Sequence, residues 1–298
     1  MLNYYGHNPQ NPQVSPTTPS RSTRGHSPSS TFPGVSLAHL PDTTIPTLQV
    51  ILDVEIRHVS QDLTSIRRAE HDLELRARSA AAAGFIVNRN FQRWMTAPGS
   101  DFLFVEGRMD LARYGRITPI SYVCAQLTQK FQEAGTPTMT TLTFFCGQHD
   151  GASDALRGPK GLVRSLLSQA LGVWTWVKLD ELDLNAFEGS HESITLKELC
   201  MVFRMVVAQI PAQYTIHCTI DDINRLERNE WKEEYWDLLG MLDQLVHDGS
   251  TEARFKVLLT SPGRSRWLTG DREIKGEQKV LVTDDGSDMG FRIDSLKI

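Results

Sequence analysis

The sequence predicts an α/β protein in which a parallel sheet carries helices on both faces and a long N-terminal helix precedes the sheet. Past Gly84, short apolar runs rich in β-branched and aromatic residues alternate with longer segments of helical periodicity. Before it, residues 45–83 contain no glycine and a single proline, Pro46. With 298 residues, 40% of them apolar, the chain is long enough to bury the core of one large domain.

Residues 1–44 are dominated by Pro, Ser, Thr, Asn and Gln and contain few aliphatic side chains. Such a composition buries too little apolar surface to offset the entropy lost on ordering. We therefore expect a disordered tail that ends where helical periodicity begins.

The next segment, residues 45–84, has the period of an amphipathic or coiled-coil helix. Apolar side chains alternate at spacings of four and three, at Leu52, Ile56, Val59, Leu63 and Ile66. One interpretation is a helix that mediates self-association or binds a protein partner. The other is a single amphipathic helix packed against the domain that follows it.

The third segment, residues 88–298, contains the α/β pattern. Strands are predicted at residues 102–106, 139–146, 214–220, 255–260 and 280–283. Helices are predicted at residues 118–133, 159–171, 196–210 and 231–246. Strands separated by helices imply a parallel sheet, and ligands of such sheets bind at the carboxyl ends of the strands.

Charge and cysteine content exclude several classes of function. The net charge of -5 argues against a nucleic-acid partner, because such proteins usually carry a strongly basic domain or stripe. The four cysteines are far apart and form neither a disulfide framework nor a zinc motif, so no metal site is expected. A secretion signal and a membrane-spanning run are both missing, which predicts a cytoplasmic protein without membrane contact.

The first predicted strand leads into a glycine-containing loop, where nucleotide-binding α/β domains bind phosphate. The motif G-x-x-x-x-G-K-[ST] wraps backbone N–H groups around the phosphates, its lysine reaches the outer phosphates and its hydroxyl holds magnesium. Here Gly107 and Gly115 are eight positions apart, and Arg116-Ile117 replaces Lys-Ser. The loop therefore lacks the lysine and the spacing of that motif.

From about residue 88 onward, the order of several short motifs resembles the NACHT-type, STAND-class P-loop NTPase domains of filamentous fungi, in a divergent form with a degenerate Walker A motif. The stretches that carry the resemblance are residues 91–94, 102–107, 115–121, 142–149, 157–167, 216–222 and 256–264. The resemblance implies a three-layer, P-loop NTPase-like fold.

The resemblance also implies a vestigial nucleotide site. Its residues would be Gly107, Gly115, Arg116, Thr118, Asp221, Asp222, Ser261 and Arg264. In relatives, acidic residues at the position of Asp221 and Asp222 hold magnesium, whereas an N-cap of the following turn is the alternative interpretation here. Ser261 and Arg264 match a position that senses the terminal phosphate, although Arg264 also fits a solvated turn.

These features predict an interaction or regulatory protein that does not hydrolyse nucleotide and has no catalytic residues. One alternative is an ATP- or GTP-binding NTPase, at least weakly active with magnesium, whose phosphate loop is rebuilt around Arg116 and Thr118. Another is an adaptor that oligomerises through residues 45–84. The run from Cys146 to His149 contains nucleophile and base types, but a local run does not supply the geometry of a catalytic dyad.

Overall fold

The computed structural model of the protein describes residues 44–55, 57–179, 194–249, 251–268 and 278–282. The predicted disordered tail, residues 1–44, lies outside these ranges except for Thr44. Within them, the α/β architecture is confirmed.

Five strands form one sheet in the described part of the chain. They are β1 (Asp101–Gly107), β2 (Met139–Phe145), β3 (Thr215–Asp221), β4 (Arg254–Ser261) and β5 (Gln278–Val282). Every pair is parallel, and the order across the sheet is β2-β3-β4-β1-β5. The predicted strands were recognisable because each is an apolar run between turn-forming residues, and their bounds agree with the structure to within a residue or two.

Helices cover both faces of this sheet. They are α1 (Thr44–Leu52), α2 (His58–Arg68), α3 (Leu75–Ile86), α4 (Arg89–Thr96), α5 (Pro119–Glu133), α6 (Gly158–Val173), α7 (Leu196–Ala208) and α8 (Lys232–His247). One apolar core joins α1, α6, α7 and α8 to one face, through strand residues such as Phe104 and Phe144. A second core joins α2, α3, α4 and α5 to the other face, through residues such as Leu103 and Val105. No helix in these described ranges has both the length and the apolar character needed to cross a membrane.

The prediction of one long helix over residues 45–84 is wrong. The helix stops at Leu52, and Asp53 takes a left-handed conformation with φ of 48°. Leu52 packs in the core on one face of the sheet, whereas Ile66 packs in the core on the other face. The chain must cross the edge of the sheet at β2 between these two residues, so a single straight helix does not fit. Self-association through this segment stays a prediction.

Polar side chains stabilise this crossing. The buried guanidinium of Arg164, on α6, donates from Nε to the carbonyl oxygen of Leu52 over 2.8 Å and so satisfies the end of α1. Gln169 pairs with the backbone of edge strand β2: its Oε1 accepts from Thr143 N and its Nε2 donates to Thr143 O, over 2.9 and 3.0 Å. The edge is thereby closed to further strand pairing at this point.

Candidate functional site

The loops that leave the carboxyl ends of the strands meet over the sheet, and Gly107 marks one of their closest approaches. A Cβ atom at Gly107 would lie 2.2 Å from the carbonyl oxygen of Pro262, which follows β4. The same oxygen accepts a hydrogen bond from Met109 N over 3.1 Å. Glycine at 107 is therefore required for packing between two neighbouring loops.

The loop between β1 and α5 turns two carbonyl oxygens toward the rest of the site. The carbonyl of Gly115 accepts from Nη2 of Arg225 over 2.8 Å. The carbonyl oxygen of Arg116 would lie 2.3 Å from a Cβ atom at Gly147, so it lies directly against the backbone that follows β2. A phosphate cradle requires N–H groups in such positions, because only donors stabilise an anion.

Thr118 and Arg116 have different surroundings. Thr118 is fully buried and begins α5: its Oγ1 accepts from Ser121 N over 3.1 Å, and Ser121 Oγ accepts from Thr118 N over 3.2 Å. This capping box, followed by Pro119, explains why the helix starts here. The Thr118 hydroxyl, which the sequence assigns to the vestigial nucleotide site, thus serves the helix start, and the Arg116 side chain is exposed.

The two carboxylates predicted from the sequence lie at the end of β3, and both are buried. Asp221 Oδ1 accepts from Thr260 Oγ1 over 2.7 Å. Burial raises the pKa of Asp221. Burial together with the charge of Asp221 raises the pKa of Asp222 to about 7, against the opposing effect of Arg225.

Asp222 is also strained and incompletely satisfied. Its backbone is left-handed, with φ of 61° and ψ of 46°. Its Oδ2 accepts from Arg225 Nε over 2.8 Å, whereas its buried Oδ1 accepts no hydrogen bond from any described residue. A buried oxygen without a donor costs about 1–3 kcal/mol, and a proton or a hard cation would remove that cost.

Arg225 links the acidic pair to the neighbouring loops. Besides Gly115 and Asp222, it reaches Asp150, which follows β2: Arg225 Nη1 lies 3.3 Å from Asp150 Oδ2. Arg228 pairs with the other oxygen of Asp150. Neither arginine is among the residues predicted for the site. Their positions three and six residues after Asp222 were the available signal.

Ser261 and Arg264 do not join this network. Ser261 is fully buried, and its Oγ donates to the carbonyl oxygen of Gly263 over 2.7 Å. Arg264 is exposed on the turn that follows β4. Of the eight residues predicted for the site, Gly115 and Asp222 are connected through Arg225, and Asp221 and Asp222 are connected through Thr260. The carbonyl oxygen of Arg116 and the Oδ2 atom of Asp222 both lie next to Gly147.

The run from Cys146 to His149 is arranged for packing and charge pairing. Burial raises the pKa of the Cys146 thiol well above its usual range, which disfavours the nucleophilic thiolate. Both ring nitrogens of His149 face carboxylates, Asp62 and Asp154, each at 3.1 Å. Among the described residues, three or more His, Cys, Asp or Glu side chains placed to hold one metal ion are not found.

No protein-family model matches the chain, and searches of curated proteins and of solved structures returned no match.

Proposed function

We propose that the protein is a cytoplasmic interaction or regulatory protein, related to the fungal NACHT and STAND signalling NTPases, that does not hydrolyse nucleotide. The observation that carries this proposal is the contact of Arg225 with both the Gly115 carbonyl and the Asp222 carboxylate. A side chain of the protein itself thereby joins the β1–α5 loop to the acidic pair.

Electrostatics support the same conclusion. The loop turns the carbonyls of Gly115 and Arg116 inward, and Asp221 and Asp222 lie at the adjacent strand end. Partial negative charges and carboxylates close to a triphosphate raise its energy. Arg225 offsets part of this charge, but its guanidinium is already engaged by Asp222 and Asp150.

A second candidate function is weak binding of ATP or GTP with magnesium. The observation that favours it is Asp222 Oδ1, which is buried and has no donor among the described residues. Mg²⁺ binds through one or two carboxylates and completes its coordination with water and phosphate oxygens. In this candidate function the exposed side chain of Arg116 contacts the phosphates.

Thermal unfolding of the full chain with and without millimolar ATP or GTP and magnesium separates the two functions. A ligand that binds only the native state at 100 times its Kd adds about 2.7 kcal/mol of stability. We expect no change in the midpoint and no release of phosphate. A midpoint that rises in the wild type and in Arg93→Ala, but not in Arg116→Ala, would establish nucleotide binding instead. Arg93 is an exposed control on α4.

A further inference from the structure

Five exposed arginines lie on the loops that leave the carboxyl ends of β1 and β4, and one of them, Arg113, pairs with Glu74. Arg108 and Arg116 belong to the β1–α5 loop, and Arg264 and Arg266 belong to the loop after β4. We call these four side chains the arginine rim. Among the described residues none of them has a carboxylate partner, and Arg266 donates from Nη2 to the Asn229 amide oxygen over 3.1 Å.

The two loops that carry the rim are in contact with each other. β1 and β4 are neighbouring parallel strands, so the loops that leave them start about 5 Å apart. Met109 N donates to the carbonyl of Pro262, and a Cβ atom at Gly263 would lie 2.9 Å from Cδ1 of Leu111. The two loops therefore pack against each other between Arg108 and Arg264.

The nearby acidic groups that belong to the described residues do not neutralise the rim. Glu227 accepts from the backbone N–H of Arg266 over 2.7 Å and from the Ser265 hydroxyl, and so holds the turn in place. Asp150 and Asp222 are paired with Arg225 and Arg228. Asp110 is exposed on the β1–α5 loop and accepts from Ala112 N over 3.1 Å. Among the described residues, four cationic side chains therefore face solvent beside the exposed carboxylate of Asp110. The net charge of the chain is -5.

We infer that the arginine rim is the docking surface for an acidic, Asp- and Glu-rich segment of a partner protein. This inference rests on the proposed function, because it names the partner chemistry of an interaction protein. The residues 108–118 and 262–268 contain arginine but no lysine. The planar guanidinium donates two parallel hydrogen bonds to a carboxylate, whereas an ammonium acts as a point charge.

A nucleic acid is a poorer fit to the same surface. Single-stranded nucleic acids stack their bases on aromatic side chains beside basic residues. The aromatic residues of the two rim loops, Tyr114 and Trp267, are 8% and 2% exposed and offer no such platform.

The test is fluorescence anisotropy of a labelled poly-glutamate peptide titrated with the full chain at low salt. We expect binding that weakens as sodium chloride is added, because salt screens exposed charges. The double variant Arg108→Gln, Arg264→Gln should weaken binding at least about tenfold. The matched control, Arg89→Gln and Arg93→Gln, removes the same charge from exposed positions on α4, at the amino end of β1. It should change the affinity by less than about twofold.

Three results would overturn the inference: no peptide binding by the wild type, equal losses in the two double variants, or tighter binding of a poly-thymidine oligonucleotide than of the peptide. A parallel titration with ATP and magnesium keeps the proposals separate. Peptide binding that fails while nucleotide also fails to bind overturns the rim alone. Nucleotide binding with phosphate release overturns the proposed function, whatever the peptide does.

Discussion

The imidazole Nε2 of His149 lies 3.1 Å from Oδ2 of Asp62, and this contact joins the β2–α6 loop to α2. Burial lowers the pKa of His149, but the hydrogen bonds and charges of Asp62 and Asp154 outweigh burial and raise the pKa above 6.5. The ring centroids of His58 and His149 lie 5.9 Å apart. Burial lowers the pKa of His58, so His58 titrates at lower pH than His149. His149 therefore links the N-terminal helices to the site loops, and its raised pKa favours the charged form of the ring in this link.

This link predicts a pH dependence of stability. A histidine whose folded pKa is raised contributes stability that is complete below pH 6.5 and is lost as the pH rises through the folded pKa. Asp62→Asn should lower the free energy of unfolding by about 1–3 kcal/mol near pH 6 and reduce the loss between about pH 6 and 8. Urea unfolding at both pH values measures this, with Asp72→Asn as an exposed control. Equal effects of the two variants would contradict it.

A second histidine has the opposite dependence. Burial, with the charges of Lys256 and Arg254, lowers the pKa of His217 from 6.5 to about 4. The folded state favours the neutral ring of His217. Its contribution to stability is therefore present above pH 6.5 and is lost as the pH falls toward 4. The shift corresponds to about 3 kcal/mol.

The His217 ring stacks on Phe131 with centroids 4.1 Å apart, so His217→Phe keeps the packing. We expect that variant to lose less stability between about pH 6.5 and 4 than the wild type in acid titrations of unfolding. An unchanged acid response would refute this assignment.

The two glycines of the predicted phosphate loop should respond differently to substitution. Gly107→Ala places a methyl group against the Pro262 carbonyl, and such overpacking costs about 1–3 kcal/mol or more. Gly115→Ala meets nothing within 4 Å, and its φ is not in the left-handed region, so its unfolding free energy should change by less than about 0.5 kcal/mol. Thermal unfolding of both variants tests this contrast. A larger loss in Gly115→Ala would show that the loop has another conformation.

Local sequence signals were sufficient for the strands and for the start of α5, because an apolar run between turn residues or a Thr-Pro pair acts over a few positions. The break at Asp53 has no such signal. It arises because Leu52 and Ile66 bury on opposite faces of the sheet, which is a tertiary requirement.

The same limit applies to the site. Asp221 and Asp222 could be located from the end of a strand, whereas the contact between Arg225 and Gly115 joins residues 110 positions apart. Periodicity and motif spacing contain no information about such a pair. The inward-turned carbonyl of Gly115 in the β1–α5 loop is part of that contact, so it was outside what the sequence could predict.

Asp222 gives a prediction that runs against the usual effect of breaking a salt bridge. Because its folded pKa is raised from 3.8 to about 7, its effect on stability is smallest below pH 3.8 and becomes unfavourable as the pH rises toward 7. Asparagine is neutral at all pH values and tolerates the left-handed conformation that this position requires. The amide oxygen can still accept from Arg225, so Asp222→Asn should raise the free energy of unfolding by about 1–3 kcal/mol near pH 8. Near pH 4 the difference should largely disappear.

Asp222→Ala controls for the loss of the arginine contact and should destabilise the protein at both pH values, since alanine neither pairs with Arg225 nor favours a positive φ. Denaturant unfolding of the three proteins at both pH values measures the effect, and an asparagine variant less stable than the wild type near pH 8 would show that the ionised carboxylate is a net stabilising group.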